Sequence, residues 1–523
     1  MRDPGRTTFP RETGYMSPAV GAAGTNPAEG RPIPWIQRGT AFLVLGICFL
    51  ALVGPFVATR GFGEPDSIVI AAGLIQGGLT KEGPHWAGLY GTHFSVLYYT
   101  IAFALLDHVP LSAQQVVLWL NVANFAAGLA SALLLLAVLR RVLPAEIAFL
   151  AAFGFVLPPA MWQLWTYGHP FGPALLATTA AIALYEVGSG LPPAFARGTA
   201  FVCAAALLAV GVGLRADAGL AVFAYASLLV FRRRLSWPVT RNIALSCIAG
   251  VAVFAGLRSF QAHASGERSS FVIGDVMAFL REYWQPMHVV SGLAFYTLAA
   301  GSGFVALLTW GTWMSARRRE WRTSLAAAIW LAPAILFWLG NPSPPRHFAL
   351  AAAGTLVWAV VLLSRWLSAA SVARWVALGA LVSFATPTAP PFSVASQSSL
   401  AIQLGDRAYW RHWQSRWDEF FRQAPASSIL VGMWQDYGEM LLYEGLRGVP
   451  CQVEHVRLGK QRVVRVRSGK RELLWLESYS GAETETKLAA LPQTASRPVV
   501  VARRRLLPHS SRTPVRLMPL APE

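Results

Sequence analysis

The sequence predicts an all-α polytopic membrane protein of about 11 transmembrane helices plus juxtamembrane helices, with a small C-terminal α/β domain. Three observations carry this expectation. Of 523 residues, 54% are hydrophobic and only 13% charged, roughly half the charged fraction of an ordinary soluble domain. Mean hydropathy is +0.44, and the apolar residues gather into runs of membrane-spanning length. After Pro390-Pro391 those runs stop and short alternating stretches replace them. This composition excludes a string of soluble domains, and equally a disordered or fibrous chain. Four cysteines (Cys48, Cys203, Cys247 and Cys451) are too few and too scattered for a disulfide framework, and no pair has metal-ligand spacing.

Residues 1–34 are rich in Gly, Pro and Arg and lack an apolar h-region, so they read as a disordered cytoplasmic tail and not a cleaved signal. A membrane domain is expected over 35–388. A spanning helix needs roughly 17–25 mostly apolar residues. Runs of that order lie near 38–58, 113–139, 145–166, 171–188, 195–214, 216–231, 241–257, 289–314, 323–340, 347–364 and 372–386. Orientation follows from Lys and Arg, which stay cytoplasmic. Alternating spans put Arg140-Arg141, Arg197, Arg232-Arg233-Arg234, Arg317-Arg318-Arg319, and Arg365 with Arg374, on that side. The tail with Arg31 and Arg38 joins them only if the short amphipathic run 94–107 does not cross, so 94–107 is expected to lie as a juxtamembrane helix at the outer interface. The implied location is the cell inner (plasma) membrane, multi-pass, with the N-terminus cytoplasmic and the C-terminal domain outside.

The region 389–523 reads as an extracytoplasmic α/β domain with a basic tail. Residues 400–423, with Trp410, Trp413, Trp417, Phe420 and Phe421 at helical spacing, suggest an amphipathic helix. Ser428–Met433 is a strand, Gln435–Leu446 a helix, and Val463–Val466 and Leu473–Leu476 further strands. The Arg-rich end, including Arg503-Arg504-Arg505, reads as a solvated tail or as a contact for anionic head groups.

With this topology the ionisable residues gather at the outer face, in loop 59–112, the turn at Tyr167–Pro170, Arg215–Asp217, loop 258–288 and Asn341–His347. A transporter more often carries such residues mid-helix along a path, so the asymmetry points to a surface site. Asp66 follows Pro65 at the start of a short helix just beyond the first span. That place suits a general base or metal ligand, and it equally suits a helix N-cap. Arg346 by itself reads as a residue snorkelling or positioned at the interface. Arg215 and Asp217 read as caps of neighbouring spans, because two residues apart on a helix they would not face each other. His85 and His93 read as interfacial polar residues or metal ligands. Gly61-Phe62-Gly63 neither follows a strand nor opens a phosphate loop, so no nucleotide is expected. The positive charge lies at membrane flanks and in the tail, so no nucleic acid is expected either.

One span, a long outer loop opening with an acid, a helix ending in Gly, a juxtamembrane helix and a span ending in Arg140-Arg141 follow one another. This order resembles the GT-C class of membrane glycosyltransferases, including protein O-mannosyltransferases, the lipid A aminoarabinose transferase and their bacterial relatives. That family opens the loop with an Asp-Glu-x-x-Tyr-type motif; the matching place here is Glu64-Pro65-Asp66-Ser67, so only the acid carries over. The family's second acid, in a Thr-Pro-Asp-Ala-Pro-type turn, is absent from Thr166-Tyr167-Gly168-His169-Pro170, which leaves His169 to replace it as a metal ligand or hydrogen-bond donor. A late Arg-Tyr after Pro is matched by Pro344-Pro345-Arg346-His347.

The resemblance implies transfer of a sugar from a polyprenyl-phosphate donor to an extracytoplasmic acceptor, with Asp66 as the catalytic carboxylate. It places Arg346 on the donor phosphate, with a divalent metal ion as an optional partner in that role. His347, His169, Arg215, Asp217, His85 and His93 are the remaining substrate-binding candidates. Partners implied are membrane lipids, the lipid-linked donor and the acceptor. The rival readings are a transporter or flippase of a lipid-linked solute and a non-catalytic membrane assembly factor. The first lacks a visible internal repeat, and the second leaves the placement of Asp66 unexplained.

Overall fold

The computed structural model describes residues 39–57, 65–80, 96–107, 112–188, 194–232, 286–339, 345–385, 424–432, 434–458 and 461–477. It also describes short pieces at 387–388, 397–398, most of 414–422, 486–490, 499–501 and 516–518, and scattered positions of 237–259. The expected tail 1–34, most of the expected loop 258–288, most of the expected span 241–257, and His85 and His93 lie outside the described residues.

The first helix, α1 (Thr40–Val57), shows why the chain needs a membrane. Ala41, Leu45, Phe49, Val53 and Val57 recur every fourth residue and are buried, while the opposite face carries exposed Leu43, Ile47 and Leu50. A helix with an apolar free face as well as an apolar packed face is matched to hydrocarbon, not to water. Helices α2 (Pro65–Thr80) and α3 (Val96–Asp107) follow. At 12 residues, α3 falls short of the roughly 20 that a span needs. The long helix α4 (Ala113–Leu139) begins at a capping box: Ser112 N–H donates to Gln115 Oε1 at 2.7 Å, and Gln115 N–H to Ser112 Oγ at 3.4 Å.

The chain continues through α5 (Ala145–Ala152), α6 (Pro159–Thr166), α7 (Phe171–Gly188), α8 (Ala194–Leu214) and α9 (Ala221–Arg232), then α10 (Pro286–Ala300), α11 (Ser302–Arg317), α12 (Trp321–Leu339), α13 (Ala349–Leu363) and α14 (Ala369–Ala385). Helix α13 is the axis of the bundle. All fifteen of its residues are buried, and α5, α6, α10, α11 and α12 pack around it. Two polar contacts tie it to its neighbours: Tyr296 and Thr355 hydroxyls meet at 2.7 Å, and Trp330 Nε1 donates to Leu350 O at 3.1 Å.

Among the described residues, five helices are long and apolar enough to cross a membrane, or seven if two bent pairs each count as one span. The chain is therefore a multi-pass membrane protein, and the expected count of about 11 spans is not confirmed among the described residues, which leave out most of 241–257. The expected run 145–166 is two helices bent by 63°, and 289–314 is two helices bent by 98°. The first break falls at Pro158-Pro159, where two backbone donors are missing. The second falls at Gly301, with φ +92°. The run 216–231 begins with a 3-10 turn (Ala216–Leu220) before α9. Apolarity alone does not report these changes of direction.

The C-terminal domain is a six-stranded mixed sheet. A small ribbon, β1 (Pro387–Thr388) with β2 (Gln397–Ser398), precedes it. Its order is β4 (Cys451–Leu458), β5 (Gln461–Ser468), β6 (Arg471–Glu477), β3 (Ser427–Gly432), β7 (Val499–Val501) and β8 (Arg516–Met518). β3 is parallel to both its neighbours, with Ile429 opposite Leu474 and Val499. Its unbroken buried Ile429-Leu430-Val431 is what an interior parallel strand requires. Helix α15 (Trp434–Leu446) joins β3 to β4, so the expected strand, helix, strand order holds. β4 extends it with a strand that the sequence reading lacked.

Candidate functional site

On α4, Asn121 and Asn124 lie three residues apart and so share a face. Both are buried, and both grip the turn between α6 and α7. Asn121 Oδ1 accepts Gly168 N–H at 2.9 Å, and Asn124 Nδ2 donates to Leu164 O at 3.1 Å, His169 O at 3.0 Å and Tyr167 O. A Cβ at Gly168 would collide with Leu120, so glycine is what lets this turn close on α4. The turn therefore presents His169 from a fixed backbone.

Opposite it, Arg215 leaves α8 in an extended conformation, φ −158° and ψ 121°, before the 3-10 turn Ala216–Leu220. This corrects the reading of Arg215 and Asp217 as caps that cannot meet. The helical spacing rule does not apply across an extended residue, and Arg215 Nε donates to Asp217 Oδ1 at 2.6 Å. Arg215 Nη1 lies 3.2 Å from His169 Nε2, and its guanidinium carbon sits 5.2 Å from the centre of the Phe171 ring. Phe171 N–H approaches His169 Nδ1 at 3.1 Å. A neutral imidazole has one acceptor nitrogen and a charged one has none. Two donors thus compete for one lone pair. Asp217 Oδ2 is buried and accepts no hydrogen bond among the described residues. His169 is 3% exposed, Asp217 6%. This is a buried, charged, incompletely satisfied cluster at one end of the bundle.

The other sequence candidates sit around it by element. Asp66 lies in the first turn of α2. Helix α2 is covered by the C-terminal domain: Gly438 packs on Val69 and Gly445 on Ile75, so α15 runs alongside α2 in the same direction. Gln76 secures the contact. Its Nε2 donates to Leu441 O at 3.0 Å and Val449 O at 3.2 Å, and its Oε1 accepts Cys451 N–H at 2.8 Å. Arg346 and His347 occupy a 3-10 turn, Pro345–Phe348, that leads into α13. The His347 ring lies 4.3 Å from Trp338, centre to centre.

Among the described residues, no group of three or more His, Cys, Asp and Glu is placed to hold a metal ion. His169 does not suit one, since one ring nitrogen faces a guanidinium and the other an N–H. Residues missed by the sequence reading are Asn121, Asn124, Gln76 and two fully buried acids of α15, Asp436 and Glu439. The signal for the acids was present. They stand three residues apart inside an apolar helical stripe with Met440 and Tyr443, where an unpartnered charge is unfavourable.

No family profile matches the chain, and no curated protein does. Solved structures do. ArnT from Cupriavidus metallidurans bound to undecaprenyl phosphate is similar at TM-score 0.48 and 15% identity, over 79% of this chain and 77% of that one. Its apo form gives TM-score 0.47 and 17% identity, over 78% and 76%. The Archaeoglobus fulgidus oligosaccharyltransferase complex with Zn and sulfate gives TM-score 0.47 and 13% identity, over 78% of this chain and 61% of that one. The chain spans less than two thirds of the length of this oligosaccharyltransferase.

Proposed function

We propose that the protein is a membrane glycosyltransferase that moves a sugar from a polyprenyl-phosphate donor to an acceptor outside the cytoplasm. The observation that carries this reading is the Arg215–His169–Asp217 cluster at the end of the bundle. Arg215 spends Nε on Asp217 and directs Nη1 at His169, which leaves Nη2 to meet an anion. A guanidinium fixed in this way suits a phosphate, whose oxygens it meets as a planar fork. Arg346 is the second candidate for that phosphate. The open Asp217 Oδ2 accepts a sugar hydroxyl.

In the step itself the acceptor oxygen attacks the anomeric carbon and forms the new C–O bond. The bond from that carbon to the phosphate oxygen breaks, and polyprenyl phosphate leaves with the electron pair. Asp66 removes the acceptor proton as attack proceeds. Arginine charge at the leaving phosphate stabilises the developing negative charge.

The test is transfer from a polyprenyl-phosphate sugar in membranes holding equal amounts of each variant. Asp66→Asn preserves size and capping ability, so the protein should accumulate normally. General-base catalysis is worth about 10²–10⁴-fold, so transfer should fall at least about a hundredfold. Glu64→Gln serves as the control and should stay near wild type. If Asp66→Asn retains activity while Glu64→Gln abolishes it, the base is Glu64. If neither changes transfer, the base lies elsewhere; if membranes holding the wild-type protein transfer no more sugar than membranes without it, the glycosyltransferase reading fails.

A further inference from the structure

The opposite end of the bundle contains a second site, independent of the transferase reading. A cavity of about 560 Å³ is lined by four arginines, Arg232, Arg319, Arg322 and Arg365, and one carboxylate, Glu320. Two of the charges are balanced: Arg232 Nη1 donates to Glu186 Oε2 at 2.8 Å, and Arg365 Nε to Glu320 Oε2 at 3.3 Å. Arg322 donates through Nε and Nη2 to Val230 O at 2.9 and 2.6 Å, a partner that carries no charge. Arg319 is exposed at the rim. The described residues thus leave two positive charges uncompensated around an open volume.

The backbone at Arg319 adds an independent observation. Helix α11 ends in a Schellman turn, with Arg319 N–H donating to Ala316 O at 3.1 Å and Glu320 N–H to Ser315 O at 3.0 Å. The residue at that position is usually glycine, because it must adopt a left-handed conformation. Arg319 has φ +58°, the one non-glycine positive φ among the described residues. A long cation held in a disfavoured backbone at a cavity rim is not explained by stability. The first turn of α12, Trp321–Thr323, also lines the cavity, and its backbone N–H groups favour negative charge.

We propose that this cavity binds a phosphate group, supplied by the head group of an anionic phospholipid or by a soluble phosphate. Four arginines around a cavity of small-ligand size match that chemistry, and basic pockets between membrane helices are suited to acidic head groups.

The test uses the purified full-length chain in phosphatidylcholine nanodiscs, titrated with phosphatidylglycerol or with glycerol phosphate in solution. Saturable binding that raises the unfolding midpoint is expected. Arg319→Gly and Arg322→Gln should each weaken it about tenfold, as loss of a charge-assisted hydrogen bond predicts, while Arg374→Gln on the same face should not. Without ligand, Arg319→Gly should unfold at a higher temperature than wild type, because glycine suits the left-handed turn. Weakened binding in a more stable variant separates loss of the site from misfolding. Response to phosphatidylglycerol alone identifies a lipid head group, and competition by glycerol phosphate identifies the soluble source. If both cavity variants bind as wild type, or if Arg374→Gln weakens binding equally, there is no phosphate site here.

Discussion

A guanidinium held between a carboxylate and an imidazole is oriented before any ligand arrives. Arg215 has this character, with its guanidinium over the Phe171 ring and against Asp217 and His169. Lysine keeps the charge but not the planar fork. Arg215→Lys should therefore raise the KM for the lipid-linked donor at least about tenfold, with a smaller change in kcat, measured as initial transfer rates against donor concentration. Asp217→Ala leaves a part-buried cation without its counter-charge, a change that costs less than the roughly 3–5 kcal/mol of breaking a fully buried pair. Its unfolding midpoint in detergent should fall clearly below that of Arg215→Lys. Arg346→Lys should impair donor use less than Asp66→Asn impairs turnover in the same assay. The sequence displayed Arg215, Asp217 and His169 but not their meeting. That depends on one extended residue and on two asparagines 40 to 50 positions away in the chain, and no local period encodes either.

At the scale of elements, the contact that positions Asp66 is the packing of α15 on α2, with Gln76 at its centre. Gln76→Leu would strand the Cys451 N–H and two carbonyls in an apolar contact, each at a typical cost of about 1–3 kcal/mol. Cys451 reports on the same contact. Burial, aided by the nearby Glu444 charge, pushes its thiol up to about 12. At pH 8 it should resist a maleimide in the wild type and become modified in Gln76→Leu, read by mass spectrometry of the β4 peptide. The pH dependence has a definite sign. An unfolded thiol ionises near 9, and the folded one holds its proton to about 12, so this contribution to stability is intact below pH 9 and lost as pH rises from there towards 12.

The apolar runs 113–139 and 171–188 coincide with α4 and α7 because a membrane helix and an apolar run are one physical object. Where the chain turns inside a run, as at Pro158-Pro159 and Gly301, the run stays continuous and the helix does not. The breakers were visible; the 63° and 98° angles they produce were not.

For the whole molecule, the decisive property is polarity between two ends. One end holds His169, Arg215 and Asp217 with the sheet domain docked on α2; the other holds the Glu186–Arg232 pair and the arginine cavity. The positive-inside rule assigns the arginine end to the cytoplasm. Cysteines introduced at Glu454 and at Arg318 should label from outside and inside respectively, using an impermeant maleimide on intact cells or inverted vesicles. Labelling of Glu454→Cys from the cytoplasm would invert the assignment and remove the outer site.

The bond from Gln76 to Cys451 joins residues 375 positions apart. At synthesis rates of about 5–20 residues per second, the ribosome needs roughly 20–75 s to travel that distance. Throughout this interval α2 has left the ribosome with its apolar face unclaimed and no sheet domain to receive it. Helix α2 must therefore wait at the membrane surface or be shielded there. A chain stopped before β4 would insert its helices yet lack the strand that Gln76 holds, so the docking of α15 and β4 on α2 is timed by synthesis of the sheet region and not by membrane insertion.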